Sequence, residues 1–159
     1  MASFKYTDEN EKKFQKDAKK YPKIDSMMLP ALWLVQEQIG WVSPEAMAFV
    51  AQKLETTPIR VYEFATFYTM FNLKPIGKHH IELCKTLSCM LCGSEDIKAF
   101  IKQTLGISPG ETTEDGLFTL SEVECMGACA GAPMMSFDGE YKENLTKQKV
   151  KDLLMECKK

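Results

Sequence analysis

The chain has 159 residues, with 20 Lys and Arg against 22 Asp and Glu and a net charge of −2. That balance gives no reason to expect a nucleic acid or an anionic membrane as partner, and no apolar run approaches the roughly 20 residues of a membrane-spanning helix. The first twenty residues lack an apolar h-region and carry Asp8, Glu9 and Glu11, which a transit peptide avoids. Six cysteines without an export signal imply a reducing, cytosolic compartment, where clustered thiols bind metal or do redox work.

Residues 1–76 read as a helical region. The stretch near 8–20 is charged with little apolar periodicity and predicts a helix that is solvated or covered by a partner. Met28, Leu32, Val35 and Ile39 recur at helical spacing before Gly40, predicting one buried face and a glycine stop. Ser43-Pro44 and Thr57-Pro58 each set an N-capping side chain before a proline at the first helical position. Met47, Val50, Ala51 and Leu54 form the buried stripe of the first of these helices. In the second, Tyr62, Phe64, Phe67, Tyr68 and Phe71 place five aromatics in ten residues. Such a spread suits either a helix sandwiched inside its own bundle, the preferred expectation, or a docking surface.

After Lys74-Pro75-Ile76-Gly77 the period changes. His80 to Cys84 alternates as a strand. A helix over 94–105 follows, with Ile97, Phe100, Ile101 and Leu105 on one face and Gly106 as its stop. Phe118 and Leu120 alternate on one register and Val123 and Cys125 on the other, which predicts a bulge near Ser121-Glu122. Met134 to Phe137, Asp138-Gly139 and Tyr141 read as a hairpin with a two-residue turn. A last helix carries Val150, Leu153, Leu154 and Cys157 on its apolar face. The expected class is α+β: an N-terminal helical bundle (1–76), then a β-α-β-β-α unit (77–159) whose order has the shape of a thioredoxin-like domain. The ten methionines fall mostly at stripe positions and read as core.

Two cysteine pairs, Cys84-x4-Cys89 and Cys125-x3-Cys129, sit where strands give way to loops. Four thiolates suit an iron–sulfur cluster or a structural zinc. Cys157 reads as a small core hydrophobe, which leaves five candidates. Cys84-x4-Cys89-x2-Cys92 plus one distant cysteine is also the plant-type ferredoxin spacing. Cys89-Met90-Leu91-Cys92 is also a C-x-x-C redox motif, which would make the chain a thiol–disulfide oxidoreductase. The pairing of Cys84 and Cys89 with Cys125 and Cys129 leaves only Cys92 without a task, as a buried thiol at a helix N-terminus. Spacing alone leaves all of these open.

The stretches Phe67-Tyr68-Thr69-Met70-Phe71, Cys84-Lys85-Thr86-Leu87-Ser88-Cys89 and Cys125-Met126-Gly127-Ala128-Cys129-Ala130-Gly131-Ala132-Pro133-Met134-Met135 carry a specific resemblance. From about Tyr21 to Leu154 the chain is similar to the peripheral thioredoxin-like [2Fe–2S] subunit of NADH:quinone oxidoreductase, respiratory complex I. The resemblance implies Cys84, Cys89, Cys125 and Cys129 as ligands of one [2Fe–2S] cluster; Cys92 lies outside the family's ligand motif. It implies single-electron exchange with the FMN of a partner flavoprotein subunit that also binds NADH, contacts with other peripheral-arm subunits, and a place on the cytoplasmic side of the inner membrane. Related subunits serve NAD-linked hydrogenases and formate dehydrogenases. The chain has no dinucleotide fingerprint, so FMN and NADH are expected on the partner only.

Around the cysteines, Gly127 and Gly131 are expected to let the backbone approach the cluster, with loop N–H groups aimed at sulfur. Lys85 is expected either to offset cluster charge or to be a solvated lysine. Pro133 opens a strand, at the place where thioredoxin-like folds hold a structural proline, and the sequence leaves its isomer open. His79 and His80 are adjacent on a strand, so they face opposite ways and serve packing or surface roles.

Overall fold

The computed structural model describes residues 4–157; the outer ends of the two expected domains, 1–3 and 158–159, lie outside the described residues. The chain divides between Pro75 and Ile76 into two compact units.

The first unit is helical: α1 (Asp8–Ala18), a 3-10 turn (Ile24–Met27), α2 (Met28–Ile39), α3 (Pro44–Lys53) and α4 (Pro58–Phe67). α1 starts at Thr7, whose side chain caps the Asn10 N–H. α2 stops at Gly40, whose φ of 81° is the left-handed turn glycine tolerates. Its buried face holds Met28, Ala31, Leu32, Leu34 and Val35, while Ile39, expected on that face, is exposed in the last turn. Ser43 caps α3 through the Ala46 N–H. Thr57 occupies the cap position of α4, yet its side chain makes no capping bond; its carbonyl accepts from Arg60 and Val61 instead.

The aromatic segment departs from the sandwiched expectation. α4 buries only Val61 and Ala65 and ends at Phe67. Phe71, 5% exposed, belongs to the following turn and packs on Trp33 at 5.5 Å, whereas Phe67 is 76% exposed and Tyr62 half exposed. Gln36 and Asn72 stitch that turn to the end of α2: the Gln36 amide donates to the Met70 carbonyl, and the Asn72 amide donates to the Gly40 carbonyl.

The second unit is a mixed five-stranded sheet with helices, so the α+β class holds. β1 (His79–Cys84) leads through α5 (Leu87–Leu91) and α6 (Ser94–Leu105) to β2 (Glu111–Thr112), β3 (Phe118–Val123), a 3-10 turn (Cys129–Gly131), β4 (Met135–Phe137), β5 (Glu140–Lys142) and α7 (Lys147–Glu156). The sheet order is β2-β3-β1-β4-β5. β1 and β3 run parallel from His79↔Phe118 to Cys84↔Val123 without interruption. The expected bulge at Ser121-Glu122 is therefore absent. The change of register in the sequence arises because Val123 ends the strand half-buried and Cys125 lies beyond it.

Alternation decides what each face carries. Ile81 and Leu83 of β1 join Ile97 and Ile101 of α6, Phe118, Leu120, Met135 and Phe137 of the sheet, and Val150 and Leu154 of α7 in one core. Cys157 and Leu153 pack partly buried against it. Cys84, the next residue on β1, turns to a separate cluster with Cys89 and Met134. The hairpin between β4 and β5 has Asp138 and Gly139 at φ 54° and 85°, the two left-handed residues that a tight primed turn requires. His79 stacks on Phe137, with ring centres 5.6 Å apart, and binds Asp138 at 2.7 Å, while His80 faces Ser121 at 2.8 Å. No helix among the described residues is long and apolar enough to cross a membrane.

Candidate metal centre

The centre forms where the parallel strands β1 and β3 end. Cys84 is the last residue of β1; its N–H donates to the Met134 carbonyl (3.3 Å), and the next N–H, of Lys85, donates to Val123 (3.0 Å). The chain then turns into α5, which presents Cys89 inward, while Leu87, Met90 and Leu91 face outward. Beyond β3, Gly127 takes φ 86° and Cys129 opens the 3-10 turn. The Ala132–Pro133 peptide is cis and leads into β4. Lys85 and Glu124 form an ion pair at 3.2 Å that ties one loop to the other. Lys85 therefore has a carboxylate partner and is not a free charge over the centre.

The sulfurs come in two pairs. Cys125 Sγ lies 3.5 Å from Cys129 Sγ, and the Gly127 N–H donates to Cys125 Sγ at 3.4 Å. Thr86, which holds the N-cap position of α5 without capping it, turns its hydroxyl to Cys84 Sγ at 3.2 Å. Burial works to raise the Cys84 thiol, but the Thr86 hydroxyl and N–H, Cys89 and the Met126 N–H together bring it below its ordinary value. Burial pushes Cys89 up to about 11, helped by the neighbouring Cys84. The Gly127 N–H, then Cys129 and Thr86, hold Cys125 below its ordinary value, and Cys125 in turn raises Cys129 against the pull of the Ser88 hydroxyl. In each pair one sulfur is thus shifted toward the thiolate and the other away from it. Cys84 also acts electrostatically on Cys125 and Cys129, so the two pairs feel one another.

This donor set fits a binuclear iron centre. Each iron of a [2Fe–2S] cluster takes two thiolates, and N–H and O–H groups aimed at sulfur complete its surroundings. Among the described residues no three His, Cys, Asp or Glu side chains gather as ligands of a single metal ion.

Cys92 stands apart from the four. It is exposed and closes the C-terminal end of α5, so the expectation of a buried thiol at a helix N-terminus is corrected: Cys89 sits inside a separate five-residue helix that ends just before Cys92, and α6 starts only at Ser94. A dithiol mechanism would want an activated thiol at a helix N-terminus, and here Cys89 is buried with its pKa raised. Gly131 is also corrected. Its backbone is not left-handed, and its missing side chain makes room for Glu143 rather than for the sulfurs. The Thr86 hydroxyl beside Cys84, and that of Ser88, which acts on Cys129, were not singled out by sequence reasoning; the signal was hydroxyl residues at the second and fourth positions after Cys84.

The sequence profile of the thioredoxin-like [2Fe-2S] ferredoxin family matches residues 14–158. The chain belongs to this family. The cofactor of the family is a [2Fe–2S] cluster. A subunit of the NADH-quinone oxidoreductase of Rickettsia felis is 49% identical over 141 residues, covering 87% of this chain and 84% of that protein. A subunit of the NADH-quinone oxidoreductase of Rhizobium meliloti is 47% identical over 137 residues, 86% of this chain and 82% of that protein. A crystal structure of an NAD+-reducing [NiFe]-hydrogenase in the air-oxidized state superposes at TM-score 0.73 with 19% identity, over 83% of this chain and 23% of that chain. At that identity the likeness is one of fold.

Proposed function

We propose that this chain is the electron-carrying subunit of an NADH:quinone oxidoreductase, and that its one [2Fe–2S] cluster exchanges single electrons with the FMN of a partner flavoprotein subunit. Cys84, Cys89, Cys125 and Cys129 are its ligands in this reading, with the helical residues 1–76 and the cluster-bearing residues 77–159 as its two domains. NADH dehydrogenase activity belongs to the whole complex, which holds this chain on the cytoplasmic side of the inner membrane. The observation that carries the reading is near half identity to NADH-quinone oxidoreductase subunits along more than four fifths of both partners.

When bound, the cluster supplies one-electron storage. The chain's own residues hold four sulfurs at one end of the parallel strands and keep Cys84 and Cys89 away from water. They also aim the Gly127 N–H and the Thr86 hydroxyl at sulfur, where negative charge accumulates on reduction. The equivalent diaphorase subunit of an NAD-linked hydrogenase or formate dehydrogenase is the less favoured parent, since the hydrogenase likeness is 19% identical against 49% for the Rickettsia felis oxidoreductase subunit.

Anaerobic purification with iron, sulfide and zinc analysis, joined to EPR of the dithionite-reduced protein, tests the proposal. Two irons and two sulfides with a rhombic S = 1/2 signal are the expected result. Zinc without iron, or a reducible Cys89–Cys92 disulfide without metal, would overturn it.

A further inference from the structure

Tyr141 lies on β5 opposite Ser136, and its hydroxyl reaches across 15 residues to donate to the Met126 carbonyl at 2.9 Å. That carbonyl belongs to the peptide whose other end is the Gly127 N–H. In a trans peptide the C=O and the N–H point in opposite directions. Fixing the oxygen toward Tyr141 therefore aims the N–H at Cys125 Sγ, 3.4 Å away. Gly127 sits at φ 86°, and a glycine after such a peptide leaves both peptide orientations sterically open. A flip would replace the N–H facing the sulfur with a carbonyl oxygen.

We propose that Tyr141 is a positioning residue that sets the reduction potential of the cluster by locking the Met126–Gly127 peptide with its N–H toward Cys125. The inference rests on Cys125 being a ligand, as the proposed function has it. A donated N–H stabilises the reduced, more negative cluster and raises its potential; a carbonyl oxygen in the same place lowers it. The chain beyond β5 is anchored without the phenol, because the Asn144 N–H donates to Gly131 at 2.6 Å and the Leu145 N–H to Pro133 at 2.9 Å. The Tyr141 ring is half exposed, so its hydroxyl has an orienting task separable from packing.

The test compares wild type with Y141F, both purified anaerobically, by iron and sulfide analysis, EPR redox titration, and pulsed EPR of the reduced protein carrying ¹⁵N-glycine. The expected result is equal iron and sulfide, a lower midpoint potential in Y141F, and a glycine-nitrogen coupling present in wild type and weakened in Y141F. Unchanged potential and coupling overturn the inference, as does loss of iron from a folded Y141F, which would make the phenol merely structural. Wild type without iron and sulfide would instead sink the ligand assignment beneath it.

Discussion

The side chain of Glu143 occupies the space that a Cβ on Gly131 would fill, with its own Cβ 2.7 Å and its Cδ 2.6 Å from that position. Gly131 closes the 3-10 turn that begins at Cys129. The glycine therefore lets the segment after β5 lie against the second cysteine loop. Because the Glu143 Cβ itself is in the way, moving the carboxylate aside is not enough. Gly131→Ala is expected to destabilise by about 1–3 kcal/mol through overpacking, with Glu143→Gly in the same background restoring more than Glu143→Ala. Denaturant midpoints read this directly, and an unchanged midpoint for Gly131→Ala would refute it.

The cysteine assignment separates the four paired sulfurs from Cys92, which caps the C-terminal end of α5. Cys129→Ser and Cys125→Ser are expected to lose or destabilise the cluster, while Cys92→Ser keeps its iron, sulfide and EPR signal. The reverse pattern would revive the plant-type spacing through Cys92.

Two aromatics four residues apart carry opposite expectations. Phe71→Ala removes a buried ring and should cost about 3–5 kcal/mol. Phe67→Ala removes one that is 76% exposed and should change stability by less than about 0.5 kcal/mol. Equal losses in urea unfolding would mean that Phe67 packs inside the bundle after all.

Burial holds His80 below the ordinary value of about 6.5, against the opposing pull of Glu82 and Asp138. The folded state then binds fewer protons than the unfolded chain between those two values. Stability is therefore at its full level above about pH 6.5 and declines as the pH falls toward the lowered folded value. His80→Gln, which keeps a polar group toward Ser121, should flatten this decline. Urea midpoints from pH 7.5 to 5 would show it, and parallel curves for the two proteins would refute it.

Much of this fold was legible because local rules and burial agree. Ser43-Pro44, Gly40, Gly106 and Asp138-Gly139 mark where elements start and stop, and each acts through backbone geometry within a few residues. The cysteine pairs were legible for the same reason, as short spacings at strand ends. What escaped depends on tertiary surroundings. Cys92 shares a motif with Cys89, yet a five-residue helix ends between them and leaves one buried and the other exposed. The aromatics of 62–71 carry no mark in sequence of which ring will be covered. The bulge expected at Ser121-Glu122 mistook the end of a covered strand for a break in it. Tyr141 looked like an ordinary hairpin residue, because the carbonyl it meets lies fifteen residues away.

The two strands that lead into the cysteine pairs are parallel neighbours, so the chain must cross over through α6 before their ends can meet. A contact between segments so distant along the chain carries a loop-closure cost that local helices do not. A group bridging Cys84 and Cys89 to Cys125 and Cys129 would act as a cross-link across that crossover, holding shut the junction hardest to close. Electron carrier and structural clamp would then be the same few atoms, so damage to the cluster would reach the folded state of the sheet as well as its redox chemistry.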